Sequence, residues 1–513
     1  MRDLDSLTSW HADWRGLRVV VLGLGVTGFS VADTLAELGA EVLVVAGKAT
    51  DERTAMLEVI GASLALQPDA DVVPPTVEAF DPELVIVSPG FPLDHSLLTW
   101  AQSRTLPVWG DIELAWRVRD KLGDPADWIA VTGTNGKTTT VQLVTHLLES
   151  TGLRAAAVGN IGTPVLDAIR YPAGFDVFVV ELSSFQLHWM PRTGPGAIAP
   201  AASAVLNIAD DHLDFHCSRE AYAEAKGTVY WNTRLACVYN RADEATMHLV
   251  EDAEVQEGCR AVSFGLDTPG PSDLGMVGDI VVDRAFLPDR HKAALELTTH
   301  GELAEAGLAN PHMVANVLAA AALVRAVGMT AESVRAGLAT FRVDHHRTET
   351  IATSGGIVWV DDSKATNPHA ADAALKSFPS VVWIVGGLLK GVDIAPLVQQ
   401  HAKRLKGAVV IGVNRQPVVE AFGRHAPEVP LIEVDATDTG EVMPHAVRVA
   451  GGMASQGDAV LMAPAAASMD QFVDYADRGE RFARAVEQYL GGAGDDLDAH
   501  PAAPDADSSG TAG

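Results

Sequence analysis

Cysteine is almost missing from this 513-residue chain: Cys217, Cys237 and Cys259 are the only three, and no two stand in a CxxC spacing. That argues against a disulfide framework or a thiolate zinc site, and leaves buried or incidental thiols. Long apolar runs are missing too. No stretch of eighteen or more uncharged apolar residues occurs, so no membrane insertion is expected. The opening residues, Met1-Arg2-Asp3-Leu4-Asp5, carry neither the basic nor the apolar part of a secretion signal. A soluble, cytoplasmic protein is the expectation. Positive charge is scarce, with 37 Lys and Arg against 67 Asp and Glu and a net charge of −30. Such a surface repels phosphate backbones, so no nucleic-acid partner is expected and anionic ligands must enter locally basic pockets. Nor is there a G-x-S-x-G nucleophile turn, consistent with chemistry that forms no covalent enzyme intermediate.

What the chain does hold is apolar bulk, 48% of its residues, in more length than one core can use. Strand patterns alternate with helical ones. Leu17–Leu22, Glu41–Val45 and Leu84–Val87 read as buried parallel strands, with a helix through Val31–Ala36 between the first two. Further strands are expected at Asp176–Glu181, Ala204–Asn207, Ala236–Asn240, Ile357–Asp361, Val381–Val385, Ala408–Ile411 and Ala459–Met462. The fold class is therefore α/β in three domains: an N-terminal Rossmann-like block at 1–110, a central P-loop ATPase-like block at 111–344 and a C-terminal Rossmann-like block at 345–492. Residues 493–513 are mostly Gly, Ala, Asp, Ser and Pro with almost no apolar bulk, and a disordered acidic tail is expected there.

The most informative segment is Ile129–Thr140, an apolar strand running into Gly133-Thr134-Asn135-Gly136-Lys137-Thr138-Thr139. Glycines let backbone N–H groups converge on phosphates, Lys137 supplies a point charge and Thr138 a hydroxyl for Mg²⁺. The common phosphate-loop spacing would put a glycine where Val131 stands. This shorter form resembles the Mur ligase family, ATP-dependent enzymes that join a carboxylate to an amine. A plain turn at a helix start is the alternative, disfavoured by the strand and helix on either side.

Gly23-Leu24-Gly25-Val26-Thr27-Gly28 follows the first strand and by itself suggests a dinucleotide site. The second strand, however, ends at Val45-Ala46-Gly47-Lys48, without the acidic residue that grips an adenosine ribose. A diphosphate of another kind fits the same turn. The Mur resemblance implies a uridine diphosphate substrate held by Gly25, Val26, Thr27, Ser88, Pro89 and Gly90, together with Asn160, Ser183 and Gln186 further along.

Glu181 ends an apolar strand, a placement suited to Mg²⁺, and Asn207-Ile208-Ala209-Asp210-Asp211-His212 follows another. Each acidic residue alone reads as a solvated loop charge; their coincidence at strand ends favours a metal site. Lys226, in Tyr222-Ala223-Glu224-Ala225-Lys226, would by default be an exposed helix cation. The resemblance implies instead a carbamylated lysine, and two Mg²⁺ ions held among Thr138, Glu181, His212 and Lys226. Carbamylation needs a neutral amine, which at an ordinary pKa of about 10.4 is roughly one lysine in a few thousand at pH 7. Burial or nearby cations must favour it, or the metal must trap the product.

In the third block, Asp361-Asp362-Ser363-Lys364-Ala365-Thr366-Asn367 and Pro464–Phe472 with Arg478-Gly479 match the family members that add D-glutamate. By this resemblance Asn316, Arg347 and Asp362 join the phosphate loop around ATP, and Lys137, His212, Lys226 and Arg347 are catalytic. Thr366, Lys390, Ser468 and Tyr475 surround D-glutamate. The activity implied is addition of D-glutamate to UDP-N-acetylmuramoyl-L-alanine through an acyl phosphate, in cytoplasmic peptidoglycan precursor synthesis, by a monomer. Three readings compete. A sibling such as folylpolyglutamate synthase lacks the Asp362–Asn367 segment, a nicotinamide oxidoreductase leaves Lys137 idle, and a nucleotide switch or motor needs no acyl acceptor.

Overall fold

The structure is a computed structural model that describes residues 3–342, 346, 348–435 and 438–495. The chain separates into two compact units, Met1–Val343 and Asp344–Gly513. No helix among the described residues is long and apolar enough to cross a membrane.

The first unit holds two sheets. Strands β1 (Arg18–Leu22), β2 (Glu41–Ala46), β3 (Ser63–Leu66), β4 (Leu84–Val87) and β5 (Val108–Gly110) form a parallel sheet in the order β3-β2-β1-β4-β5. Side chains alternate across a strand, so Val19 and Val21 pack with Val31 and Leu35 of the helix Val26–Glu37, while Val20 and Leu22 pack with Leu97, Leu98 and Ala101 on the other face. Burial on both faces is why these strands read as continuous apolar runs.

The second sheet comprises β6 (Asp127–Thr132), β7 (Ala155–Gly159), β8 (Val177–Glu181), β9 (Ala202–Val205), β10 (Ala236–Asn240), β11 (Arg260–Phe264), β12 (Asp273–Val277), β13 (Ile280–Asp283) and β14 (Leu295–Thr299). Its order is β14-β13-β12-β11-β10-β9-β6-β8-β7. Only β13 runs against its neighbours, and the β12–β13 hairpin turns through Gly278-Asp279. That antiparallel edge was not among the expected strands, although Gly-Asp between two apolar runs is a hairpin signal. Strand β9 also ends two residues before the expected Asn207. Asn207 leaves the ladder because its side chain bonds to the phosphate loop, as described below.

The first two sheets share one unit because helix Val26–Glu37 is tied to helix Val165–Arg170. Ser30 Oγ donates to Asp167 at 2.6 Å, Arg170 donates to Thr34 Oγ1 at 3.2 Å, and Arg170 pairs with Asp33. A single core runs from Leu17 and Trp109 through Trp128 and Phe178.

The second unit contains β15 (Glu349–Ser354), β16 (Ile357–Asp361), β17 (Val381–Gly386), β18 (Leu405–Ile411), β19 (Leu431–Glu433) and β20 (Ala459–Met462), in the order β15-β16-β20-β17-β18-β19. All are parallel except the β15–β16 hairpin, turned by Gly355 and Gly356 with φ of 58° and 75°. Positive φ at both turn positions matches the strand twist, and glycine adopts it without strain. The last helix, Tyr475–Asp495, continues past the expected start of the tail at 493, and residues 496–513 lie outside the described residues.

Candidate active site

The phosphate loop lies between β6 and the helix Lys137–Glu149, as expected. Gly133 and Gly136 have φ of 151° and 82°, and a Cβ on Gly136 would collide with the Asn316 amide oxygen. Glycine is therefore required at Gly136 both for its backbone and for the approach of Asn316. The Lys137 ammonium donates to the carbonyls of Gly133 at 2.8 Å and Thr134 at 2.9 Å. Asn207 brackets the loop: its Oδ1 accepts from Asn135 N at 2.8 Å and its Nδ2 donates to Asn135 O at 3.0 Å. Thr134 Oγ1 lies 3.0 Å from the Tyr222 hydroxyl and accepts from Ala209 N at 2.9 Å. Thr138 is buried, and the buried Thr139 hydroxyl has no hydrogen-bond partner among the described residues.

Three further elements converge on this loop. Glu181 closes β8, paired in register with Val131 of β6, and is 3% exposed. Its Oε1 accepts from Asn160 Nδ2 at 3.1 Å, whereas its buried Oε2 has no partner among the described residues. A buried carboxylate oxygen without a donor is costly, and a divalent cation is the natural complement. Lys226 comes from the helix Arg219–Gly227 and is 2% exposed, not the surface cation a helix lysine is by default. Its Nζ donates to Gly133 O at 2.9 Å and to Thr132 Oγ1 at 3.3 Å. Lys137 and Lys226 thus share one carbonyl oxygen, which places the two ammonium groups less than about 6 Å apart. His212 adopts a left-handed backbone, φ 52°, with its ring 4.6 Å from that of Phe185 and its N–H bonded to Asp211.

Sequence reasoning missed two neighbours. Tyr222 precedes Lys226 by four residues, hence shares its helix face, and sits with its ring 4.7 Å from the ammonium. His216 is buried against Phe215 and Tyr222, with Nε2 lacking a partner among the described residues. Burial, with His188 and Lys226 adding to it, holds this imidazole down at about 4, so it is neutral at pH 7.

In the first sheet the Gly-rich turn is as tight as its sequence requires. A Cβ on Gly28 would strike the Gly23 carbonyl, and one on Gly23 would strike Ser88 and Phe91. Gly25 and Gly90 face open space, Val26 is exposed, and the buried Ser88 hydroxyl has no partner among the described residues. Thr27 and Pro89 flank these positions, and Ala46 ends β2. Ser183 and Gln186 form a reciprocal helix cap: Gln186 N donates to Ser183 Oγ, and Gln186 Oε1 accepts from Ser183 N. Gln186 Nε2 also donates to Asp111 Oδ2 at 2.9 Å.

Asp111 is buried, and burial outweighs the Gln186 hydrogen bond to push its carboxyl up to about 6 from an ordinary 3.8. A folded-state value above the unfolded one means stability fully present below about pH 4 and lost as pH rises through about 6. Asp111→Asn removes the ionisation. The mutant should therefore gain on the wild type between pH 4.5 and 7.5, by about 2 kcal/mol. Thermal melts at several pH values check this; a constant difference across that range contradicts it.

In the second unit Asp362 Oδ1 accepts from Thr348 N at 3.1 Å. The neighbouring Asp361 takes His346 Nδ1 at 2.6 Å, and this hydrogen bond raises the imidazole's affinity for its proton. His346, Glu349 and Asp361 are grouped closely enough to hold a cation, but none is an expected metal ligand. Arg347 lies outside the described residues. Fully buried Arg478 binds the Asp361–Asn367 segment to the Pro464–Phe472 loop, donating to Ser363 Oγ at 2.9 Å, Ser363 O at 2.8 Å and Ala466 O at 3.1 Å. Ser363 Oγ donates to Tyr475 O at 2.7 Å, and the Lys364 ammonium lies 3.6 Å from the Tyr475 ring centre. Leu388 and Ala467 exchange both backbone hydrogen bonds at 2.9 Å, placing the Lys390 turn beside the Ser468 loop. Ser468 is buried, Thr366 and Tyr475 are half-buried, and Lys390 has a left-handed φ of 55°. The segments of all four expected D-glutamate contacts are thus joined in one unit.

Known proteins are similar to this chain over nearly its whole length. The Mur ligase middle domain matches residues 131–324, and the glutamate ligase domain of the Mur ligases matches residues 346–466. The UDP-N-acetylmuramoylalanine–D-glutamate ligase of Leifsonia xyli is 63% identical over 499 residues, covering 96% of both chains. The chain belongs to the Mur ligase family. The Streptomyces avermitilis protein of the same name is 51% identical, over 92% of this chain and 98% of its own. Among solved structures, MurC from Thermotoga maritima superposes with a TM-score of 0.54 at 22% identity, covering 93% of this chain and 99% of its own. MurF from the same organism, in complex with ADP, gives 0.53 at 19% identity, covering 96% and 100%. At those identities the likeness is one of fold, and it agrees with the three α/β sheets of this Mur ligase.

Proposed function

We propose that this Mur ligase uses ATP to join D-glutamate to UDP-N-acetylmuramoyl-L-alanine, as a cytoplasmic monomer. The observation that carries the reading is the convergence of Lys137, Lys226 and the partnerless Glu181 oxygen on one phosphate loop. The names of relatives up to 63% identical supply the substrates. Residues 1–110 are assigned the uridine diphosphate group, 111–344 the ATP and 345–492 the amino acid. Within the last, Arg347 is assigned to the ATP phosphates and Asp362 to the ribose.

A carboxylate becomes an acylating agent once its oxygen is a leaving group, which transfer of the γ-phosphoryl group accomplishes. Lys137 neutralises charge on the phosphoryl oxygens as they move, and the loop N–H groups hold them in line. Thr138, Glu181, His212 and a carbamylated Lys226 are the residues suited to hold Mg²⁺, which when bound supplies further positive charge to the phosphates and the acceptor carboxylate. The partnerless Glu181 oxygen fits that role. Carbamylation of Lys226 would replace repulsion between two close ammonium groups with attraction. The amine of D-glutamate then attacks the acyl phosphate, and phosphate leaves.

Phosphate release with ATP and UDP-N-acetylmuramoyl-L-alanine should depend on D-glutamate and fail with L-glutamate. Release independent of the amino acid would favour a nucleotide switch. Lys390→Ala tests the amino-acid pocket: its ammonium is proposed to face a carboxylate of D-glutamate, so its loss should raise the D-glutamate KM or lower kcat about tenfold or more, with ATP affinity unchanged. Loss of ATP affinity with D-glutamate binding intact would move Lys390 to the nucleotide.

A further inference from the structure

At the far side of the second sheet from the phosphate loop, a pocket of about 620 Å³ is lined by Arg260, Phe286, Arg290, His291 and Arg325. It is an open depression rather than an enclosed cavity. Arg260 opens β11, which runs parallel through β10 and β9 to β6, and the phosphate loop follows the other end of β6. Strands of five residues span about 15 Å. Arg325 lies nine residues beyond Asn316 on the helix Pro311–Ala326, about 13 Å along its axis. The depression is therefore separate from the site described above.

Its charge is unusual for a chain of net charge −30. Arg325 is held by Asp283 at 2.9 Å and by the Phe286 carbonyl at 2.9 Å. Arg260 donates to the Ala285 carbonyl at 2.7 Å and lies 5.2 Å from the Phe286 ring centre. Among the described residues, neither Arg260 nor Arg290 makes an ion pair, and the two repel each other. Asp283 attracts Arg260 as well as pairing with Arg325, so one carboxylate serves two of the three guanidinium groups that line the depression, and the forked donors of Arg260 and Arg290 match phosphate oxygens.

We infer that this depression is a second anion site, which takes a small phosphorylated compound through Arg260 and Arg290 while the phosphate loop is separately occupied. The probe is pyrophosphate, titrated calorimetrically into the full chain at 0.15 M NaCl. Lys137→Ala protein, whose phosphate loop is weakened, should retain a saturable site. Adding Arg260→Ala and Arg290→Ala should weaken that site at least tenfold. Arg290→Ala alone, in the wild-type background, should remove one pyrophosphate per chain and leave the melting temperature of the ligand-free protein within a few degrees, which separates lost binding from lost folding. Unchanged isotherms on removing Arg290, or binding abolished by chloride at this ionic strength, would overturn the assignment.

Discussion

Lys137→Ala should reduce turnover a hundredfold or more. The ammonium is the point charge of the loop, anchored by the Gly133 and Thr134 carbonyls at 2.8 and 2.9 Å and therefore already placed where the phosphates must lie. Removing one preorganised charge from a water-poor site costs several kcal/mol of transition-state stabilisation. Lys226 is another cation close by, but it approaches the same carbonyl from a different helix and is assigned to the metal. Because Thr134 is also tied to Tyr222 and Ala209, and Asn135 to Asn207, the loop should keep its shape without Lys137. The mutant should fold and fail in steady-state phosphate release. Near-normal turnover would remove the loop from the chemistry.

Lys226→Ala should be equally inactive, for a different reason. A bare ammonium buried to 2% exposure, within about 6 Å of a second ammonium, is an expensive arrangement that would serve no metal. Converted to a carbamate, the same side chain is an anion beside Lys137 and a ligand alongside Glu181. If so, a small carboxylate such as formate or acetate should partly restore the alanine mutant by occupying the vacated position, with no effect on Lys137→Ala. Mass spectrometry of the intact protein under carbon dioxide should find the added group. Rescue by added amines, with none by carboxylates, would mean that Lys226 acts as a cation.

How much of this was readable in the chain depended on how local the feature is. The phosphate loop, the buried parallel strands and Glu181 at a strand end are written in consecutive residues. Strand β10 at Ala236–Asn240 and strand β16 at Ile357–Asp361 fall where the apolar runs place them. Features made by distant segments were not readable. Asn207 looked like the last residue of a strand, and its bonds to Asn135 take it out of the ladder. The burial of Lys226 and its approach to Gly133 depend on how its helix docks, which no periodicity states. Ser183-x-x-Gln186 carries a capping signature, and in the structure those side chains are engaged in the cap and with Asp111. Any contact they make with substrate must therefore coexist with these bonds. Arg478 stood in a matching segment, but its fully buried bridge between Ser363 and Ala466 appears only when the two loops meet.

Oxygen tracing tests the central claim most directly. UDP-N-acetylmuramoyl-L-alanine is prepared with ¹⁸O in both oxygens of its terminal carboxylate and turned over with ATP and D-glutamate. Activation by phosphoryl transfer predicts one ¹⁸O in each released phosphate and one retained in the new amide. Unlabelled phosphate formed alongside amide would contradict it, because the carboxylate oxygen would not have been the one phosphorylated.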